Sequence, residues 1–275
     1  MNAVNLTLEQ YEKIVPVCTV THNGTEVRYL TPNAVTKWRF DTLFSKEIET
    51  MAWMESFGTD DVMVDIGANV GKYTIWAAKT RGVKVFAFEP ESQNYAQLNR
   101  NIVLNDLGER VTAYCVALSD RAGYDKFYLA AFNLGESCHA FGESVNFKLE
   151  PMRPAHVQGC VAATLDGLVA NGTVPTPTHI KIDVDGFEHK VIAGAQSVLR
   201  DPRLHSVLIE INQNLDEHRK LVEHMRDLGF AFCQSQVEQT EVKSGAFKGA
   251  ANFIFFRSQN MADALGRVVA KMAAA

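Results

Sequence analysis

Asp65-Ile66-Gly67-Ala68-Asn69-Val70-Gly71 follows an apolar run and opens a helical stretch. A chain that leaves a strand, turns sharply and starts a helix against a ligand needs glycine at its closest approaches, here Gly67 and Gly71. The helix that follows offers free N–H groups and the positive end of its dipole to a carboxylate. Asp65 is expected to face a cationic end of the same ligand, directly or through water. The spacing is G-x-x-x-G, with Asn69 at the third position, so a nicotinamide dinucleotide is disfavoured.

A second carboxylate, Glu89, ends the apolar run Val85-Phe86-Ala87-Phe88 and precedes Pro90. An acidic residue about 20 residues beyond a glycine loop can accept the two adjacent hydroxyl protons of a ribose. Ala117-Leu118-Ser119-Asp120 follows a third apolar run, and Leu118 and Ser119 are placed to pack an adenine. Lys181-Ile182-Asp183-Val184-Asp185-Gly186-Phe187-Glu188 puts two carboxylates at the exit of a fourth run. Ligands of open α/β sheets bind in the crevice outside such strand ends. A helix cap is the competing reading for Asp185.

These residues need strands to hold them. Val62–Ile66, Lys84–Phe88, Val111–Leu118, Thr178–Val184 and Ser206–Ile211 read as buried strands. Helical periodicity lies between them, on Tyr95, Leu98 and Ile102, on Val191, Ala195, Val198 and Leu199, and on Leu221, Met225 and Leu228. Strands alternating with helices imply a mostly parallel sheet covered on both faces. Phe230–Cys233 and Asn252–Phe256 read as a final strand pair. Met261, Ala264, Leu265, Val268 and Met272 mark the apolar face of a C-terminal helix.

Residues 1–57 form an N-terminal cap: a short helix in Thr7–Val15, a hairpin of Val17–Thr21 and Glu26–Leu30 turning at His22-Asn23-Gly24-Thr25, and helical chain from Asn33 to Phe57. Residues 58–275 form the core. An insertion at about 120–163, with strand-like Lys126–Ala130 and Val157–Ala162, is longer than an ordinary connection, and such insertions are often functional.

The 27 basic and 32 acidic residues leave a net charge of -5, and no Arg-rich run occurs, which argues against a nucleic-acid partner. The five cysteines are scattered and odd in number, so neither a disulfide framework nor a Cys-rich zinc site is expected. The compartment is expected to be reducing, hence cytoplasmic. Met1–Gln10 lacks the basic-then-apolar pattern of a signal peptide, and no apolar run approaches the ~18 residues of a membrane span. A homo-oligomer is left open.

The segments "VDIGANVGKYT", "AFEPESQNYAQLNRNIVLN", "ATLDGLV" and "HIKIDVDGFEHKVIAGA" occur in this order. Together they resemble the FkbM-type methyltransferases from about Glu47 to Phe256. The resemblance implies a Rossmann-like class I methyltransferase fold: α/β, a mostly parallel central sheet with helices on both faces, here with an N-terminal hairpin and helical cap. It implies S-adenosyl-L-methionine as cofactor and the hydroxyl of a sugar or natural-product small molecule as acceptor. It further implies cofactor roles for Asp65, Gly67, Asn69, Gly71, Glu89 and Asn94, with Ala68 and Pro90 in the same segments. Asp183 falls near the transferred methyl, and Glu47 approaches the cofactor. Residues 1–46 and the insertion match least and are expected to set the acceptor.

Methyl transfer to a hydroxyl needs in-line alignment of acceptor oxygen and methyl carbon, at roughly 3–3.5 Å, and a base for the proton. The candidates are Asp183, Asp185, Glu210, and His139 or His156 from the insertion, with Asp183 favoured by position. A metal-assisted variant places Asp183, Glu210 and Asn212 around Mg²⁺; a metal-free site is the preferred reading. Phe132, Phe141, Phe147, Trp38 and Trp53 are candidates for an apolar acceptor pocket. The competing functions are a protein or nucleic-acid methyltransferase and a non-catalytic cofactor-binding module.

Overall fold

The computed structural model describes residues 5–274; Met1–Val4, part of the segment read against a signal peptide, and Ala275 lie outside them. The N-terminal part comprises α1 (Leu8–Glu12), the hairpin β1 (Val17–His22) and β2 (Thr25–Leu30), α2 (Ala34–Asp41) and α3 (Ile48–Met54). Then come β3 (Val62–Ile66), α4 (Lys72–Trp76) running into a π-helical turn at Ala77–Arg81, β4 (Lys84–Phe88), α5 (Ser92–Leu104) and β5 (Val111–Tyr114). The insertion holds β6 (Ala117–Leu118), β7 (Gly123–Leu129), β8 (Ala140–Phe141) and β9 (His156–Ala163). The chain continues through α6 (Leu165–Ala170), β10 (His179–Ile182), α7 (Glu188–Ala193), α8 (Gln196–Arg200) and β11 (Ser206–Asn212). It ends with α9 (Asp216–Asp227), α10 (Gln234–Thr240), β12 (Ala250–Phe256) and α11 (Gln259–Ala273).

The main sheet runs β12-β11-β10-β3-β4-β5, and only β12 is antiparallel to its neighbour. Alternate residues of one strand feed opposite layers: Met63 belongs to the core shared with α3, α4 and α5, whereas Val64 and Ile66 belong to the core shared with α7, α8 and α9. A sheet buried on both faces requires near-continuous apolar strands, which is why β3 and β4 are legible to the residue. Their carboxyl ends, with those of β10 and β11, open on one edge of the sheet, where the candidate residues collect.

The hairpin turns on Asn23 and Gly24, both at positive φ, as an Asn-Gly turn requires. It is fastened to α5 by side chains rather than by another strand. Asn105 Oδ1 accepts Arg28 N–H at 2.9 Å, its amide donates to Arg28 O at 2.7 Å, and Asn101 Oδ1 accepts Leu30 N–H at 2.9 Å. Val27 and Tyr29 thereby join the same core as Trp76 and Leu98.

Three expectations are corrected. Val111–Leu118 is not one strand: β5 pairs with β4, the chain leaves the sheet at Cys115-Val116, and β6 pairs with β9 in a second sheet ordered β6-β9-β7-β8. Phe230–Cys233 is not a strand; Ala231 alone bridges Phe256, and Cys233 already caps α10. The buried face of α11 is Ala262, Leu265, Gly266 and Val269, while Met261, Val268 and Met272 are exposed. Small residues let this helix pack closely: a Cβ on Gly266 would lie 2.3 Å from Cys233 Sγ.

Candidate active site

A cavity of about 480 Å³ opens at the carboxyl ends of β3, β4, β10 and β11, a size suited to a small molecule. Among its lining residues are the expected Glu47, Gly67, Ala68, Asn69, Glu89, Pro90, Asn94, Leu118, Ser119, His139, Asp183, Asp185 and Glu210. Gly71, Asp65 and Asn212 stand outside the lining.

The glycine loop is built against the neighbouring strand. Gly67 has φ +81, and a Cβ there would lie 1.8 Å from the carbonyl oxygen of Asp183. Gly67 is therefore required for β3 and β10 to exit side by side, as well as for access to the cavity. Gly71, at φ +87, lies under Leu98: a Cβ would come within 2.5 Å of Leu98 Cδ1. Asn69 bends at φ 51, and its N–H donates to Glu89 Oε2 at 2.8 Å.

Glu89 accepts a second backbone N–H, that of Glu91, at 2.8 Å on Oε1. Each carboxylate oxygen keeps lone-pair capacity for another donor. Burial pushes the Glu89 carboxyl up to about 8, against the two N–H donors, and the Glu91 and Asp185 charges add to the rise.

The expectation that Asp65 faces the ligand is corrected. Its side chain is buried beneath the loop, where Oδ2 accepts the Thr74 hydroxyl at 2.5 Å and Oδ1 lies 4.0 Å from Lys181 Nζ. Lys181 does line the cavity, and its ammonium reaches Asp183 Oδ2 at 3.0 Å. Burial works against the Lys181 charge, but Asp183, Asp65 and Glu47 outweigh it and hold its pKa above the usual lysine value. Asp65 thus fixes a cation that in turn fixes Asp183.

Asp183, Asp185 and Glu210 place carboxylate oxygens within 4.8 Å of one another. Asp185 caps no helix: it bends at φ 56 and accepts Cys138 N–H at 2.6 Å. The bend is braced by Glu188, which accepts Val184 N–H at 2.8 Å and Gly186 N–H at 3.0 Å. Burial, then the neighbouring Asp183 charge, raises Asp185 to about 7 and lifts Glu210 well above the carboxylate range. Such a group can take up a proton or hold a hard cation. Asn212 is not part of it, since its side-chain oxygen accepts Asn214 N–H at 3.1 Å; Asp185 occupies the third place instead.

Chain 134–139 of the insertion crosses the cavity. Asn69 and Asn94 each donate a side-chain N–H to Glu136 O, at 2.8 and 3.1 Å, and Asn94 Oδ1 accepts Gly135 N–H at 2.7 Å. His139 follows, buried, with burial lowering it to about 4. Its Nδ1 accepts Ala130 N–H at 3.2 Å, which leaves the ring proton on Nε2. Nε2, buried and without a hydrogen-bond partner among the described residues, then carries the proton. His156 lies away from the cavity and packs against Phe132 with the ring planes tilted by 50°.

The N-terminal part supplies Arg39 and Lys46, which no motif marked; they line the cavity with Glu47 and with Lys72 and Tyr73, the first residues of α4. Burial alone would raise Glu47, yet Lys72, Lys46 and the Tyr73 hydroxyl bring it down to about 2. Lys72 is lowered by burial to about 8. Lys46 pairs with Glu47 at 3.2 Å, whereas neither Lys72 nor Arg39 forms an ion pair among the described residues. Of the expected aromatic residues, Trp38 and Phe141 line the cavity; Phe132 and Phe147 do not, and Trp53 is fully buried in the core. Phe127 and Phe247 take their places.

Residues 65–232 match the methyltransferase FkbM domain, a span from the glycine loop through the carboxylate trio. The hexuronic acid methyltransferase AglP of Haloferax volcanii is 26% identical over 203 residues, covering 70% of this chain and 74% of its own. The 31-O-demethyl-FK506 methyltransferase FkbM of Streptomyces tacrolimicus is 28% identical over 198 residues, covering 64% of this chain and 75% of its own. Among solved structures, the METTL16 MTase domain in its second crystal form aligns with a TM-score of 0.47 at 12% identity, over 86% of this chain and 85% of that one. With its glycine loop, strand-end carboxylates and more than half of its length inside the matched domain, the chain belongs to the FkbM methyltransferase family.

Proposed function

We propose that this protein transfers the methyl group of S-adenosylmethionine to a hydroxyl of an acidic sugar or related small molecule. The observation that carries this reading is the distribution of charge around one cavity. Glu89 stands at the end of β4, the Asp183–Asp185–Glu210 trio at the ends of β10 and β11, and opposite them Arg39 of α2 and Lys72 of α4, two cations with no carboxylate ion pair among the described residues.

The residues fit the cofactor. Glu89 has capacity for the ribose hydroxyls, Leu118 and Ser119 form a wall for the adenine, and Lys72 faces a carboxylate. When bound, S-adenosylmethionine supplies an electrophilic methyl carbon. The carboxylate trio favours positive charge beside it, excludes a competing anion and receives the acceptor's hydroxyl proton. Asp185, near 7, is the member poised to take that proton at neutral pH. Asp183, fixed by Lys181, orients the acceptor oxygen. Asn69 and Asn94 hold chain 134–139 across the cavity and limit water.

Two cations without a carboxylate partner among the described residues allow two carboxylates, one from the methionine part of the cofactor and one from the acceptor. A hexuronic acid is such an acceptor, and the AglP relative is named for one. The second reading is a neutral polyketide hydroxyl, favoured by Trp38, Phe127, Phe141 and Phe247 in the lining and by the FK506-related relative. The cap of residues 1–57 and the insertion at 120–163 are assigned the acceptor specificity, because they supply Arg39, Lys46, Phe127 and Phe141. The free cysteines support a reducing, cytoplasmic setting. Among the described residues no helix is long and apolar enough to cross a membrane.

Calorimetric titration with S-adenosylmethionine, followed by assay of S-adenosylhomocysteine with uronic-acid glycosides and hydroxylated polyketides, tests this function. Absence of cofactor binding, or turnover on no hydroxyl acceptor, would overturn it.

A further inference from the structure

The opposite edge of the sheet, where the strands begin, carries a second cluster. Asp61 precedes β3, His179 opens β10 and His205 precedes β11. They place three potential ligand atoms within 4.8 Å of one another. Asp61 Oδ2 lies 3.2 Å from His179 Nε2, and Asp61 Oδ1 lies 4.0 Å from His205 Nδ1. Edges of a tetrahedral set with bonds of about 2.0 Å are about 3.3 Å long, so only the half-exposed His205 has to close.

His179 supplies the independent sign. It is buried, with 5% of its surface exposed, and is clamped flat against Phe57 at 3.9 Å and 9° between planes. Asp61 is the only close partner of Nε2 among the described residues, and Nε2 makes no hydrogen bond of good alignment there. Its other nitrogen, Nδ1, lies 2.7 Å from Ser206 Oγ, which also accepts Trp53 Nε1–H at 2.7 Å. In the tautomer whose Nδ1–H donates to Ser206 Oγ, Nε2 presents a free lone pair towards Asp61. A metal-binding histidine is typically oriented in this way through its remote N–H.

We propose that Asp61, His179 and His205 bind a zinc ion whose remaining position faces solvent beside His205. Two imidazoles and a carboxylate suit Zn²⁺ better than Mg²⁺ or Ca²⁺, which prefer all-oxygen sets. The ion ties together the entry ends of β3, β10 and β11, the strands whose far ends carry the glycine loop and the carboxylate trio. Its role is structural, remote from the methyl-transfer site.

The test uses chelator-treated full-length protein, titrated with ZnCl₂ and followed by calorimetry and thermal melting. Wild type is expected to take up one equivalent, with Tm rising by about 5 °C or more at a hundredfold excess over Kd. His205→Ala, altered at the exposed ligand, is expected to keep the zinc-free Tm and its methyl-transfer activity while losing at least tenfold in zinc affinity and the thermal response. Equal zinc affinity in His205→Ala would place the ion elsewhere and overturn the proposal, as would an unchanged wild-type Tm with no zinc uptake.

Discussion

Glu89 accepts the Asn69 backbone N–H at 2.8 Å, so the carboxylate at the end of β4 and the glycine loop after β3 form one hydrogen-bonded unit. Glu89→Gln replaces one oxygen by an amide that must face either Asn69 N–H or Glu91 N–H, donor against donor. Losing a hydrogen bond to a ribose while a buried backbone donor is left unsatisfied costs about 1–3 kcal/mol, roughly five- to a hundredfold in affinity. Calorimetry with S-adenosylmethionine reads this directly; unchanged affinity would remove Glu89 from the ribose.

Gly67→Val should do more damage, and to the fold as well as to binding. The new Cβ collides with the Asp183 carbonyl, and a branched residue at positive φ is strained in addition. Each effect costs about 1–3 kcal/mol. Tm is expected to fall by at least about 4 °C together with loss of cofactor binding. A variant with wild-type Tm would show that the two strand exits are not packed as described.

Asp65→Ala tests whether this residue holds the cofactor or the framework. Its removal leaves Lys181 buried with Asp183 as its remaining close partner. Breaking a buried pair costs about 3–5 kcal/mol. Thermal melting should show a larger loss of stability than Glu89→Gln produces, and calorimetry a smaller loss of cofactor affinity. The reverse order would put Asp65 in the ligand's own shell.

The strands β3 and β4 were legible because burial on both faces leaves their apolar runs unbroken, and Glu89 and Asp183 because they end such runs. Lys181 carried a weaker signal, a lysine inside the buried run of β10, which only the neighbouring Asp65 and Asp183 explain. Arg39 and Lys46 belong to no motif; they reach the cavity because β2 is fastened to Asn101 of α5 and to Asn105 just beyond its end. The break at Cys115-Val116 depends on Ala117 meeting Ala162, a pairing across 45 positions that local pattern does not encode. The inward face of α11 was misread because its closest contact is made by Gly266, which no apolar pattern marks.

A base near neutrality gives turnover a defined pH dependence. Burial and the Asp183 charge raise Asp185 from 3.8 to about 7. Only the deprotonated form accepts a proton, so kcat/KM should rise up to tenfold per pH unit below about 7 and level off above it. The folded state keeps a proton that the unfolded chain releases, so this group's contribution to stability declines as pH rises from about 4 to 7. Asp185→Asn should remove the inflection and lower turnover by about 10²–10⁴-fold. EDTA should leave wild-type turnover unchanged; its abolition by EDTA and recovery with Mg²⁺ would show the trio holding a cation instead.

The most direct measurement of the central claim is label transfer from methyl-labelled S-adenosylmethionine to a uronic-acid glycoside, run beside its neutral parent sugar and with Asp183→Asn as control. The account predicts label in an O-methyl ether of the acidic glycoside, less on the neutral one, and a sharp fall in the variant while cofactor binding persists. Label on neither acceptor, or equal transfer by Asp183→Asn, would contradict it.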